Sequence, residues 1–233
     1  MDYSLIIPAY NEETRLKGTL ETAIKYLNSN YSNFEILVVD DGSTDKTCEV
    51  VRAFDNVKLI ELGTNQGKGA AVRKGILSAV GKIRIFTDAD LSTPITEIPK
   101  AIECINKGYD IFIGSRALDH TLIKKHQPIY REFMGKTFNK FVQVLVLWGI
   151  KDTQCGFKAF TDSAAEAVFS KAVIDRFSFD VEALFIARKL KLRIAEVPIV
   201  WYNDERTKVS AVRDSYRMFL DILKIRALHK NLR

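Results

Sequence analysis

The first half of the chain alternates short apolar runs with amphipathic ones at a regular beat. Tyr3–Ile7, Phe34–Val39, Val57–Leu62, Ile83–Thr87 and Tyr109–Gly114 are rich in Ile, Val and Phe and bounded by Gly, Asp, Asn or Pro, which predicts strands. Between them, Leu16, Leu20, Ile24 and Leu27 recur at helical spacing, and helical patterns run from Ala70 to Ala79 and from Ile95 to Ile105. Such alternation predicts an α/β fold with a mostly parallel central sheet and helices on both faces. The second half is less regular. Ser115–Gln127 reads as a polar, basic loop, Tyr130–Trp148 as a helix, Gly156–Thr161 as a strand and Asp180–Leu190 as a helix. Ile194–Tyr202 reads as a further strand and Ala211–Leu232 as a C-terminal amphipathic helix. No repeat or linker intervenes, so residues 1–233 are expected to form a single domain with halves 1–115 and 116–233.

Open parallel sheets bind ligands at the carboxyl ends of their strands. The polar motifs fall there. Strand one ends in Pro8-Ala9-Tyr10-Asn11-Glu12-Glu13 and strand two in Asp40-Asp41-Gly42-Ser43-Thr44-Asp45. Asn65-Gln66-Gly67-Lys68-Gly69 follows the third, Asp88-Ala89-Asp90 the fourth and Ser115-Arg116 the fifth. Two carboxylates at i and i+2 can share one hard cation, Mg²⁺ or Mn²⁺, which takes one or two carboxylates plus substrate phosphates. One of them could instead cap the next helix, although Ser92 and Thr93 before Pro94 already suit that task. Asp40 and Asp41 exceed what a capped turn needs, and one can accept hydrogen bonds from a base or ribose. Gly67-Lys68-Gly69 opens a helix and would set a cation and N–H groups near a phosphate. No Gly-x-Gly-x-x-Gly follows strand one and no Walker A loop is present, which disfavours a Rossmann dehydrogenase and a P-loop NTPase.

Composition and charge narrow the partners. Hydrophobic and charged fractions are ordinary for a globular protein, and three scattered cysteines argue against a disulfide framework. The net charge of +6 is carried by the segment from Arg206 to Arg233, with eight Lys/Arg against Asp214 and Asp221. That tail suits an anionic partner, a phosphate, a membrane surface or a nucleic acid, or is simply a solvated helix face. Without a nucleic-acid module or interleaved stacking aromatics, no nucleic-acid partner is expected. The longest apolar run, Phe141–Ile150, is interrupted by Gln143 and Gly149 and falls short of the roughly 20 residues of a spanning helix. It is a core helix or an interfacial one. No basic region preceding an apolar core marks the N-terminus, so no secretory signal is expected.

Pro8-Ala9-Tyr10-Asn11-Glu12, Asp40-Asp41-Gly42-Ser43, Gly67-Lys68-Gly69 and Asp88-Ala89-Asp90, in this order, resemble family 2 glycosyltransferases. Gly114-Ser115-Arg116, Gln154-Cys155-Gly156-Phe157-Lys158, Phe179-Asp180-Val181-Glu182 and Glu196-Val197-Pro198 sharpen the resemblance toward dolichyl- or polyprenyl-phosphate sugar synthases, especially the glucosyl branch. The resemblance implies a GT-A type nucleotide-binding fold and a metal-dependent, inverting hexosyl transfer from UDP-glucose to a dolichyl or polyprenyl phosphate. It implies that Pro8, Ala9, Tyr10, Glu12, Asp40 and Asp41 hold the nucleoside, and that Lys68, Asp88, Ala89 and Asp90 meet the rest of the donor. Asp88, Asp90 and Ser92 would hold Mg²⁺ or Mn²⁺. Arg116 and Arg131 would bind the acceptor phosphate and, with Asp90, carry catalysis, while Arg206 and Lys208 would lie on a basic loop closing over the donor. A cytoplasmic protein docked peripherally on a membrane surface is the expected setting. GDP-mannose as donor remains an alternative, as does a sugar-hydroxyl acceptor with Asp152 or Asp180 as base. So does a non-catalytic lipid- or nucleic-acid-binding protein.

Overall fold

The computed structural model describes residues 1–125, 129–204 and 211–232, apart from the side chains of 129–133, 136 and 211–216. Its strands are β1 (Tyr3–Ala9), β2 (Phe34–Asp40), β3 (Val57–Glu61), β4 (Ile83–Thr87), β5 (Ile111–Ser115), β6 (Ile123–Lys125), β7 (Phe157–Thr161), β8 (Ile194–Pro198) and β9 (Trp201–Tyr202). Seven of them form one sheet in the order β3-β2-β1-β4-β7-β5-β8, and β6 pairs with β9 separately. All neighbours in the large sheet are parallel except β7, which runs antiparallel to β4 and β5. The fold is thus α/β with a mostly parallel central sheet, as the alternating pattern predicts.

Successive strand side chains point to opposite faces, and each face has its own core. Ile6, Leu37, Val39, Phe86, Ile111 and Phe160 meet α3 (Lys68–Ser78), α6 (Asp162–Phe169) and α7 (Phe179–Lys189). Their neighbours Leu5, Ile7, Ile36, Val38, Ile85 and Phe112 meet α1 (Leu16–Asn30) and α4 (Ile98–Asn106). Strands buried on both faces explain the near-continuous apolar runs. Pro8 lies past Ile6–Phe86, the last β1–β4 pair, where a strand can lack a ladder donor. The amphipathic α5 (Ile129–Leu145) and α8 (Ala211–Leu228) pack against each other, with the Phe141 and Phe219 rings edge to face at 5.8 Å.

Three local expectations change. The Ile194–Tyr202 run is two strands: β8 ends at Pro198, which has no N–H to continue a ladder, and β9 pairs with β6 instead. The Ser115–Gln127 loop therefore carries a strand within its described part. Two helices join those expected, the short α2 (Thr47–Arg52) and α6, whose cap Thr161 accepts a hydrogen bond from the Ala164 N–H at 3.1 Å.

Candidate active site

The carboxyl ends of β1, β2, β4 and β5 share one edge of the sheet. The reversed β7 starts at that edge, because Thr87 pairs with Phe157. Gly156 is thereby brought beneath Asp88, and a Cβ there would collide with the Asp88 carboxylate. Asp88 Oδ1 meets the Lys68 ammonium at 2.6 Å, and Asp90 Oδ1 accepts the Ser92 N–H at 2.8 Å. The loop between them is anchored by the Thr19 hydroxyl, which donates to the Ala89 carbonyl at 2.6 Å. Burial, and then the Asp88 charge, pushes the Asp90 carboxyl above its ordinary value. Burial opposes the Lys68 charge, but Asp88, Asp180 and Asp90 together hold the ammonium above the usual lysine value.

The Asp88–Asp90 pair is met by the Lys68 ammonium and attracted also by the Arg15 and Arg116 guanidiniums, and two neighbouring carboxylates of this kind suit a hard divalent cation. Among the described residues no third His, Cys, Asp or Glu joins them. Asp88, Asp90 and the Ser92 hydroxyl are the protein groups that could hold such an ion, and Mg²⁺ or Mn²⁺ characteristically completes its shell with water or phosphate oxygens. A cavity of about 440 Å³ opens beside Asp90, lined by Leu91, Ser92, Lys125, Tyr202, Asn203 and Asp204.

The loops after β1 and β2 are laced together. The Asn11 N–H donates to Ser43 Oγ at 2.8 Å, the Glu12 N–H to Thr47 Oγ1 at 2.7 Å, and the Thr44 N–H to Asn11 Oδ1 at 2.8 Å. Asn11 takes the left-handed conformation with φ of 53°, which Asn tolerates better than most residues. Glu12 pairs with Arg15, which reaches Asp204 at 3.2 Å. Asp40 accepts the Ser43 N–H at 2.9 Å, and buried Asp41 accepts the Gln66 N–H at 2.7 Å and the Gly67 N–H at 2.9 Å. Burial raises the Asp41 carboxyl, against the lowering by those two N–H groups. Tyr10 is partly exposed at the rim of these loops, next to buried Ala9.

The backbone around Gly67-Lys68-Gly69 is covered by protein. Side chains on Gly67 and Gly69 would strike the carbonyls of Asp175 and Ile174, and the Ala70 N–H donates to Asp175 O at 3.0 Å. Lys68 therefore faces Asp88 with its side chain, while its backbone neighbours serve packing. The covering segment is held by Glu182, fully buried, which accepts the Val173 N–H at 3.0 Å and the Ile174 N–H at 2.8 Å and pairs with His229 at 2.7 Å.

Arg116 follows β5 and is gripped by Asp152: Nε donates at 2.7 Å, Nη2 at 2.9 Å and the backbone N–H at 2.9 Å. Its guanidinium also lies 5.4 Å from the Trp201 ring centroid. Burial alone would raise the Asp152 carboxyl, but Arg116 holds it below the usual carboxylate range. Glu196 fixes this corner, accepting the Ser115 hydroxyl at 2.7 Å and the Asp152 N–H at 2.8 Å. Asp180 is held by the buried Lys158 ammonium at 2.5 Å, which also donates to the Cys155 carbonyl at 2.6 Å. Sequence reasoning missed the supporting parts played by Lys158, Gly156 and Glu196, although each lies inside a motif it singled out. Arg131 falls in the first turns of α5; its side chain, and Arg206 and Lys208, lie outside the described residues.

Known proteins place this edge in context. Residues 4–169 match the family described as glycosyl transferase family 2. The dolichyl-phosphate beta-glucosyltransferase of Dictyostelium discoideum is 38% identical over 96% of this chain and 73% of its own length. The human protein of that name is 35% identical over 96% of this chain and 74% of its own length. Among solved structures, Mycobacterium tuberculosis glucosyl-3-phosphoglycerate synthase in complex with UDP superposes with a TM-score of 0.70 at 16% identity, over 96% of this chain and 79% of that one. The same enzyme with Mn²⁺, UDP-glucose and phosphoglyceric acid gives 0.69 at 17% identity, over 96% and 79%. These likenesses establish a GT-A-like fold, and the family match and full-span identities establish descent: this chain belongs to glycosyl transferase family 2.

Proposed function

We propose that this glycosyltransferase moves glucose from UDP-glucose onto the phosphate of dolichyl phosphate or a similar polyprenyl phosphate, with inversion at the anomeric carbon. The observation that carries the reading is the full-span similarity, 34–38% identity, to relatives that all bear the name dolichyl-phosphate beta-glucosyltransferase. The site's chemistry supports it. Asp88, Asp90 and Ser92 would hold Mg²⁺ or Mn²⁺, which when bound neutralises the charge developing on the leaving diphosphate. Pro8, Ala9, Tyr10, Glu12, Asp40 and Asp41 line the laced loops where the nucleoside would sit, and Arg206 and Lys208 would close over it.

A phosphate monoester is largely dianionic at neutral pH, its second pKa lying near 6, so it can attack the anomeric carbon without surrendering a proton. A sugar hydroxyl would require a general base. The two carboxylates otherwise suited to that task are closed, Asp152 by Arg116 and Asp180 by Lys158. That observation favours a phosphate acceptor. Arg131 would bind the acceptor phosphate with its guanidinium fork, and Arg116, oriented by Asp152 through Nε and Nη2, would meet it with its remaining N–H groups.

A lipid acceptor calls for a membrane-facing surface, and we assign it to α5 and α8. No helix among the described residues is long and apolar enough to cross a membrane. Val142, Met218, Ile222 and Ile225 are buried, whereas Val144 (70% exposed), Leu223 (53%) and Trp148 (77%), in the turn just past α5, are left to solvent, with Lys140 and Lys224 close by in sequence. Apolar side chains bordered by lysines suit peripheral docking on an anionic, cytoplasmic membrane face. A donor screen tests the function: with a short polyprenyl phosphate and Mn²⁺, UDP-glucose should give labelled lipid phosphate. A preference for GDP-mannose, or transfer only to sugar hydroxyls, would overturn it.

A further inference from the structure

Asp88 already has a cation. Its Oδ1 holds the Lys68 ammonium at 2.6 Å, and its other oxygen lies over Gly156, where a Cβ would strike it. An ammonium and a divalent ion at contact distance from one carboxylate repel strongly. Lys68 can leave Asp88, standing on the first residue of α3 on a flexible four-carbon stem, but Asp180, the other carboxylate that attracts it, is no ready partner. Asp180 itself cannot approach, because Lys158 holds it at 2.5 Å.

We propose that Lys68 is the resident counter-cation of the Asp88–Asp90 pair, and that a divalent ion loads well only with a nucleoside diphosphate, whose oxygens receive the displaced ammonium. The inference rests on the metal reading above and adds an order of events to it. A metal ion arriving alone exchanges one cation for another at Asp88 and gains little. Arriving with a diphosphate, it leaves Lys68 with a new anion to pair with. Metal and nucleotide then bind cooperatively, with a coupling of about tenfold. The device would keep the site from trapping bare metal.

The test is Mn²⁺ titration followed by the electron paramagnetic resonance of free Mn²⁺, with and without UDP. Wild-type protein should bind Mn²⁺ weakly alone and more tightly with UDP. In Lys68→Met, Mn²⁺ alone should bind about tenfold more tightly and the gain from UDP should shrink. Lys68→Arg, which keeps a cation, should stay close to wild type. Lys68→Gln replaces the methionine variant if circular dichroism shows that variant unfolded. Equal or weaker Mn²⁺ affinity in a folded neutral variant overturns the inference and leaves the metal reading standing. A wild-type protein that binds no Mn²⁺ even with UDP overturns both.

Discussion

The Asp88 carboxylate rests on a residue 68 positions away in sequence, Gly156, with nothing between them for a side chain to occupy. Gly156→Ala should therefore displace the carboxylate while leaving the fold intact, since the clash is with the end of a side chain. Misplacement of about 1 Å at a reacting centre can lower the rate about 100-fold, and kcat of Gly156→Ala should fall by that order with little change in melting temperature. Activity within twofold of wild type would show that Asp88 need not lie there. Asp152 offers a test by pH. Its carboxyl is depressed in the folded state, so its stabilising contribution is complete above the unfolded value and is lost as pH falls through the lower folded one. Asp152→Asn should lose about 3 kcal/mol at pH 7, the low end for a buried pair because Arg116 is a quarter exposed. Denaturant titrations from pH 7 downward should show the gap to wild type narrowing only below pH about 4. A gap that does not depend on pH would point to packing instead of charge.

At the scale of elements, the acidic and glycine turns were legible because polar residues interrupt apolar runs only where a strand ends. The direction of β7 was not. Phe157–Thr161 buries four of its residues with the same pattern whichever way it runs, so only the pairing with β4 and β5 reveals the reversal that carries Gly156 to Asp88. Helix α2 is too short for periodicity to register, whereas Thr161, Ala164, Ala165 and Val168 gave a readable cap and stripe for α6 that went unread. The packing of residues 174–176 over Gly67 and Gly69 had no local signal, because glycine before a helix reads equally well as a phosphate cradle. Glu182 holds that segment. Glu182→Ala strands the Val173 and Ile174 donors and the His229 partner, and should destabilise the protein by about 3 kcal/mol or more. Hydrogen exchange should accelerate first at the Val173 and Ile174 amides; unchanged protection there would contradict this account of the segment.

Across the whole molecule, one sheet edge gathers the chemistry, and α5, α8 and the turn after α5 leave apolar side chains exposed, α8 lying within the segment that holds the chain's net positive charge. Each basic residue near an anionic bilayer contributes about 1 kcal/mol, screened by salt. Anionic vesicles should therefore float the protein at low salt and release it at high salt, with Trp148→Ser/Leu223→Ser weakening the association. Equal recovery with neutral vesicles, or none with either, would count against docking through α5 and α8 without touching the chemistry. The chemistry itself is tested most directly by incubating the protein with UDP-glucose, a short dolichyl phosphate and Mn²⁺, with and without excess EDTA, and reading the extracted lipid product by proton NMR. The account predicts a glucosyl lipid phosphate with a β-anomeric signal that disappears in EDTA; an α-linked product, an equal yield in EDTA, or no lipid-linked glucose at all would contradict it.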